Sequence, residues 1–474
     1  MLFNTIEFFL FFIVVYLLYR GAPWRWQNRL LLVASYLFYG FWDWRFLSLI
    51  LISTMVDYVC GLGIGRSQSD GERRFYLIVS VCCNLSILGF FKYFNFFVDS
   101  FVGLLGGVGF SVHPVTLHII LPLGISFYTF QTMSYTIDIY YRRITPTRCL
   151  ADFALFVAFF PQLVAGPIEK AHNLLPQIQA PRRIDEEDIT AGTFLIGWGL
   201  FQKVFIADNL AHIVDPVFAA AGPVNGAHVL IAVYAFAFQI LCDFGGYSNI
   251  ARGVARLMGF HITVNFRTPY FATDPRDFWR RWHISLSTWL RDYLYIPLGG
   301  NRKGTAATYR NLFITMLFGG LWHGANWTFV LWGVYHGIIL MMHRFVQYFH
   351  HARKNAGERG RQILVTVIKI GMMFHVVCFG WLLFRSQSIG QVYDMGRAML
   401  FNFHMTRDVV SPAMTVLFLT GILLVVHLGQ YVRKDVMVVL KWPVSVRVLL
   451  YVTCFYLTIV FGETGGHEFI YFTF

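Results

Sequence analysis

Charge is scarce in this chain. Only 13% of its 474 residues are Asp, Glu, Lys or Arg, against roughly a quarter in soluble domains, so a water-soluble globule is excluded. Polar linkers and low-complexity stretches are missing, and residues 1–474 read as a single transmembrane domain. Strict apolar–polar alternation is also missing, which rules out a membrane barrel. Neither an internal repeat nor a matched pair of broken helices is present, which counts against an inverted-repeat transporter. The seven cysteines form no CxxC pair; Cys60, Cys82, Cys83, Cys242, Cys378 and Cys454 lie in apolar runs, as small buried residues do, without a disulfide framework. No HxxxH or HExxH spacing occurs, so no metal site is expected. The first apolar run lacks a basic leader and a small-residue cleavage site, and is expected to be retained as a helix.

What the chain has is hydrophobic length. Hydrophobic residues make up 57%, mean hydropathy is +0.56, and runs such as "FFLFFIVVYLLY" (8–19) and "FLSLILISTMVDYVCGLGI" (46–64) recur. Several approach the ~20 apolar residues that cross a bilayer. An all-α polytopic membrane protein follows, since helices satisfy their own backbone in lipid. Spans are expected near 4–20, 28–42, 45–65, 76–92, 115–138, 150–165, 190–208, 228–248, 308–322, 326–346, 363–385, 412–430 and 446–462. Basic residues concentrate in a few loops, among them Arg66/Arg73/Arg74, Arg142/Arg143/Arg148 and Arg353/Lys354/Arg359/Arg361. The positive-inside rule puts these loops in the cytoplasm and both termini outside. Residues 94–110 fit that alternation only in the outer interface or as a re-entrant segment.

The block 263–312 departs from the pattern. It is too polar to span, yet rich in aromatics, and it carries Arg276, Arg280, Arg281, Arg291, Arg302, Lys303 and Arg310. Such a segment lies along the cytoplasmic interface, or dips inward as short helices shielded by protein. It has two uses: to grip anionic lipid, or to bind a phosphate-rich cytosolic ligand through arginine forks.

Two of the sixteen histidines stand out. His283 lies in "FWRRWHISLSTWLRDY" and His323 in "MLFGGLWHGANWTFVLWGVYHG". His323 follows the apolar run 312–321 directly, so an ionisable group is expected at membrane depth, where such groups are functional by default. A neutral imidazole there can take a proton from a hydroxyl and return it, while many buried histidines merely hold neighbours by hydrogen bonds. His336 follows thirteen residues later, about 220° around a continuous helix, and is assigned a structural role. Gln131, Ser126, Asp243 and Asn326 are further polar residues in apolar surroundings. Each either lines a cavity or ties helices together for about 1 kcal/mol or less.

Six stretches together carry a resemblance: "LPLGISFYTFQTMSYTIDIY" (121–140), "FFPQLVAGPI" (159–168), "DFGGYSNIARGVARLMGF" (243–260), "NFRTPY" (265–270), "FWRRWHISLSTWLRDYLYIPLGGNRKG" (278–304) and "YRNLFITMLFGGLWHGANWTFVLWGVYHG" (309–337). With them the chain resembles the membrane-bound O-acyltransferases, in the bacterial alginate O-acetyltransferase branch, which is related to peptidoglycan O-acetyltransferases and to the D-alanyl transfer protein of teichoic acid modification. The resemblance implies a ring of helices around a thin centre with a through-membrane tunnel. It implies a catalytic histidine at His323 and a second functional position at His283. It implies acetyl-CoA as the donor substrate, no bound cofactor, and a donor path drawn from Arg280, Arg281, Trp282, Ser287, Arg291, Asn301, Arg302, Trp322, Asn326, Gln131 and Asp243. The chain's end, 463–474, closes on Phe469-Ile470-Tyr471-Phe472-Thr473-Phe474, similar to the Phe-x-Tyr-x-x-Phe ending of a small partner in the D-alanyl system. That likeness makes Tyr471 an acyl relay; otherwise the tail is an aromatic interface anchor.

The expected protein is an inner-membrane O-acetyltransferase. It passes acetyl groups from the cytosol, through a periplasmic esterase-like (SGNH) partner, to a polysaccharide of alginate type, with peptidoglycan and then cellulose as alternatives. Membrane lipid is a partner and nucleic acid is not. A transporter or assembly platform without chemistry is the remote alternative, and it leaves both histidine blocks and Tyr471 without a role.

Overall fold

A computed structural model describes residues 1–110, 116–164, 166–350, 359–463 and 469–470, side chains at 348–350 and 359–361 excepted. Tyr471 lies outside the described residues. Helices and no strand are found among those described. Eight helical stretches are long and apolar enough to cross a membrane: Trp24–Arg66, Asp70–Gly107, Glu186–Ala219, Gly226–Leu257, Trp327–Gln347, Gln362–Arg385, Arg407–Arg433 and Val444–Phe461. The protein is thus an all-α, multi-pass membrane protein.

Some expected spans change shape, each for a local reason. The run near 115–138 is helical only over Ile125–Tyr140, after Gly124 turns left-handed (φ 72°); Pro122 also disfavours helical backbone in the residue before it. The run near 150–165 splits into Leu150–Ala158 and Phe160–Leu163, with Phe159 between them at ψ 107° and Pro161 unable to donate to the helical ladder. Residues Phe94–Gly107 form a helix that continues Asp70–Leu88 through a wider turn at Gly89–Tyr93. Helix Ile389–Phe401 was not expected. The Ser388 hydroxyl caps it, accepting the Gln391 N–H at 3.1 Å.

The chain folds into two compact units, one of residues 1–193 and 251–263, the other of 194–250 and 264–474. In the first, helices Leu47–Arg66, Asp70–Leu88 and Ile125–Tyr140 pack around buried polar side chains. Asp57 accepts from Ser80 Oγ at 2.6 Å and from Asn84 Nδ2 at 2.9 and 3.0 Å, and Asn84 Oδ1 accepts from Ser53 at 2.7 Å. This is how polar groups are tolerated inside apolar helices: they bond to one another. Glu169, fully buried, accepts the Thr263 N–H and the Asn173 amide at 2.5 Å, fastening residues 166–179 to 261–263.

The second unit has an aliphatic core in which aromatics recur, Trp282, Trp332, Trp381, Phe236 and Phe384 among them. Helices Gly304–His323 and Trp327–His350 form a hairpin of very close approach. A Cβ on Gly320 would stand 2.3 Å from the Phe329 carbonyl oxygen, and one on Gly333 would stand 2.5 Å from that of Met316. Only glycine allows two backbones this near.

Candidate active site

His323 is the last residue of helix Gly304–His323, and Gly324 continues in extended backbone (φ −165°, ψ 158°). The glycine contact one turn earlier fixes the helix end, and the hairpin then places the imidazole in an aromatic box. Its ring lies 5.1 Å from Trp322, 5.0 Å from Trp332 and 5.2 Å from Phe384, each edge-on, and the residue is 3% exposed.

His283 comes from the polar block and is fully buried. Its backbone is left-handed (φ 40°, ψ 56°), at the cap of helix Ile284–Leu290. Asn265 braces this turn: its carbonyl accepts the Ile284 N–H at 3.0 Å, and its side chain accepts from Ser285 N–H at 3.3 Å and donates to Ser248 Oγ at 3.0 Å. Strained backbone of this sort persists only where neighbours over-determine it, and it clusters at functional sites. The ring lies edge-on to Phe244 at 4.6 Å and 6.4 Å from the ring of His323. Burial pushes the His283 imidazole down to about 3, because the charged form loses its hydration. A ring held neutral this firmly is a weak base and suits hydrogen bonding or positioning.

The chain therefore turns at Gly324–Asn326, and the continuous helix assumed between His323 and His336 does not exist. The two still do not face each other directly. Trp332 touches both, at 5.0 Å and 4.7 Å, and His336 packs on Trp279 at 5.2 Å.

A cavity of about 430 Å³ adjoins this box, lined by Lys203, Asp243, Asn326, Phe329, Arg385 and Gln387 among others. Phe329 lies 4.8 Å from Phe384, which touches His323. Asn326 donates to the Gln387 carbonyl at 3.1 Å and accepts from Thr328 N–H at 3.0 Å. Arg385 pairs with Asp215 at 2.8 Å over the faces of Phe218 and Phe236. Lys203, 1% exposed, sits between two carboxylates, 2.7 Å from Asp208 and 2.7 Å from Asp243.

The remaining expected residues fall in several places. Arg280, Arg291, Asn301 and Arg302 are exposed. Arg281 donates to Asp277 at 2.7 Å and Arg291 to Asp292 at 2.7 Å. Trp282 is core, stacked on Phe278 at 5.7 Å, and Ser287 donates to the Trp282 carbonyl at 3.1 Å. Trp322 touches both histidines, at 5.7 and 5.1 Å. Gln131 belongs to the other compact unit, where it donates to the Phe156 carbonyl. Asn265, Lys203, Asp208 and Arg385 were not anticipated. For Lys203 the signal was present: one cation inside the run "LFQKVFIA" (200–207) is the intramembrane charge that ordinarily marks a site.

Residues 147–384 match the model of "MBOAT, membrane-bound O-acyltransferase family". The chain is 43% identical over 399 residues to a "Probable alginate O-acetylase AlgI" of Pseudomonas syringae pv. tomato, covering 83% of this chain and 74% of that one. It is 37% identical over 396 residues to a "Peptidoglycan O-acetyltransferase" of Helicobacter pylori, covering 78% and 73%. It is 28% identical over 284 residues to a "Teichoic acid D-alanyltransferase" of Streptococcus thermophilus, covering 55% and 68%.

Proposed function

The chain belongs to the membrane-bound O-acyltransferase family, and from that premise we propose that this O-acyltransferase moves acetyl groups from acetyl-CoA to a cell-envelope polysaccharide, with His323 as the proton-handling residue. The observation that carries the proposal is the meeting of two buried imidazoles from separate elements, 6.4 Å apart in an aromatic box beside a polar cavity. His323 takes the proton of an attacking hydroxyl. The oxygen adds to the thioester carbonyl, the C–O ester bond forms, the C–S bond breaks, and the proton passes to the departing CoA sulfur. A thioester is a good leaving group, so positioning supplies most of what remains. His283, held neutral by burial, orients that transfer.

The donor enters from the cytosolic face, where exposed Arg280, Arg291 and Arg302 offer phosphate-matching forks. Tyr471 is the first acceptor, since a phenol of pKa about 10 needs a base to attack at neutral pH. Its ester then passes to a periplasmic esterase-like partner and on to the polysaccharide. The inner membrane, with both termini periplasmic, is the location this route requires. An alginate-type acceptor is supported by the relative at 43% identity, and peptidoglycan by the one at 37%.

The test is mass spectrometry of the C-terminal peptide after purified protein meets acetyl-CoA. A mass gain on Tyr471 that His323→Ala abolishes is expected. A His323→Ala protein that transfers acetyl at the wild-type rate refutes the role of His323. An unmodified tyrosine with full polysaccharide acetylation in Tyr471→Phe refutes the relay.

A further inference from the structure

The last described residues of the chain are tied down at several points. Asn209 Nδ2 donates to the Phe461 carbonyl at 2.8 Å, where helix Val444–Phe461 ends. Glu463 N–H donates to the Val204 carbonyl at 3.2 Å, and the Glu463 carboxylate lies 3.2 Å from His212. Phe469 is fully buried against Tyr247 at 4.7 Å and Phe244 at 5.7 Å. Ile470 N–H then donates to Asp243 Oδ2 at 2.7 Å. These partners sit on Phe201–Ala207, Asp208–Ala219 and Gly226–Leu257, within the same compact unit as the histidines.

Asp243 is built for this contact. Two carboxylates share one lysine in a site with almost no solvent. A buried carboxylate oxygen that Lys203 does not reach needs another donor. The Ile470 amide supplies one. Lys203 reaches the cluster because its helix crosses the Asp243 helix at glycine: a Cβ on Gly199 would stand 2.5 Å from the Gly246 carbonyl oxygen. The contact also leads to the chemistry, for Phe469 touches Phe244, and Phe244 touches His283. Ile470 itself lines the 430 Å³ cavity.

We propose that Asp243, braced by Lys203 and Asp208, is a positioning residue that clamps Phe469–Ile470 through the Ile470 amide and so holds this stretch at the polar cavity beside the histidine box. The clamp binds a peptide segment, with an aromatic ring seated against Phe244 and Tyr247 and a backbone amide on a carboxylate. It deepens the relay reading and rests on it for its purpose, because Tyr471 is the next residue. Its existence as a physical contact does not depend on that reading.

Amide hydrogen exchange of the 463–474 peptide, measured on full-length protein in detergent, tests the clamp. Asp243→Ala deletes the acceptor and leaves Lys203 paired with Asp208. Ile470→Pro deletes the donor at the chain end and leaves the buried cluster intact, which guards against a folding defect. Loss of one hydrogen bond to a charged group is expected to speed exchange of the segment about tenfold or more in both variants, with Tyr471 acetylation falling by a similar factor. Wild-type protection of the segment in both variants overturns the clamp. A released segment that is acetylated at the wild-type rate overturns the positioning role. A wild-type Tyr471 that is never acetylated refutes the relay alone, and the exchange data still decide the clamp.

Discussion

Gly320→Ala offers a demanding test of the active-site geometry because its effect can be worked from distances. The new methyl would stand 2.3 Å from the Phe329 carbonyl oxygen and 3.0 Å from the Gly333 backbone, while ordinary contact begins at 3.4 Å. Backbone cannot rotate away as a side chain can, so helices Gly304–His323 and Trp327–His350 must part by about 1.1 Å. Overpacking of this kind costs about 1–3 kcal/mol, which a helical core of this size survives. The functional cost is larger, because His323 stands one turn further along the displaced helix. A misplacement of about 1 Å at a catalytic group is worth about a hundredfold in rate. The neighbouring glycine is the control: at Gly319 the methyl meets only the Leu290 Cδ1 atom, at 3.2 Å, and a leucine tip yields. CoA release from acetyl-CoA by purified protein, with a detergent melting curve beside it, reads both effects. Gly320→Ala is expected to lose about two orders of magnitude in turnover while staying folded, and Gly319→Ala little. A Gly320→Ala enzyme within twofold of wild type (about 0.4 kcal/mol) would show that the close crossing does not position His323.

Other expectations follow from buried or exposed charge. The His283 ring titrates near 3 when folded and about 6.5 when unfolded, so below 6.5 the unfolded state binds more protons. Its contribution to stability is complete above 6.5 and is lost as pH falls toward 3; the melting midpoint should drop between pH 7.5 and 5, less steeply in His283→Asn. Equal slopes in the two proteins would contradict this. Asp57→Leu strips Ser80 and Asn84 of a shared acceptor and should destabilise the protein by about 1–3 kcal/mol in detergent unfolding, with turnover retained at low temperature; unchanged stability would argue against the network. If Arg280 and Arg302 meet donor phosphates, alanine at each should raise KM for acetyl-CoA about two- to fivefold, as exposed ion pairs allow, and leave kcat nearly unchanged. Unaltered KM in the double variant would move the donor site elsewhere.

The helices were legible where apolar runs were long, because lipid-facing segments carry little else. They were misjudged where one residue overrides hydropathy, as Gly124 does before Ile125–Tyr140 and Pro161 does within 150–165. Helix Ile389–Phe401, with Asp394 and Arg397 on it, lacks the apolar length by which spans were recognised. His323 and His283 could be singled out from ionisable chemistry in unlikely surroundings and from the resemblance. Their approach to 6.4 Å could not, since it depends on a turn at Gly324 and a left-handed residue braced by Asn265. Lys203 was marked by its place in an apolar run, but its partners were not: only the crossing at Gly199 and Gly246 brings it to Asp208 and Asp243 as a cluster.

The left-handed backbone at His283 inverts an everyday rule of mutagenesis. In ordinary helix or strand, alanine is more stable than glycine by roughly 0.5–1 kcal/mol, because glycine has more freedom to lose. At φ 40° the order reverses: any Cβ meets the following carbonyl at a cost of about 1–2 kcal/mol, and glycine escapes it. The folded protein carries that strain only with a side chain at 283. His283→Gly should therefore melt higher than His283→Ala although it removes more atoms. An alanine scan at this position reports on backbone and imidazole together, and glycine is the reference that isolates what the ring contributes.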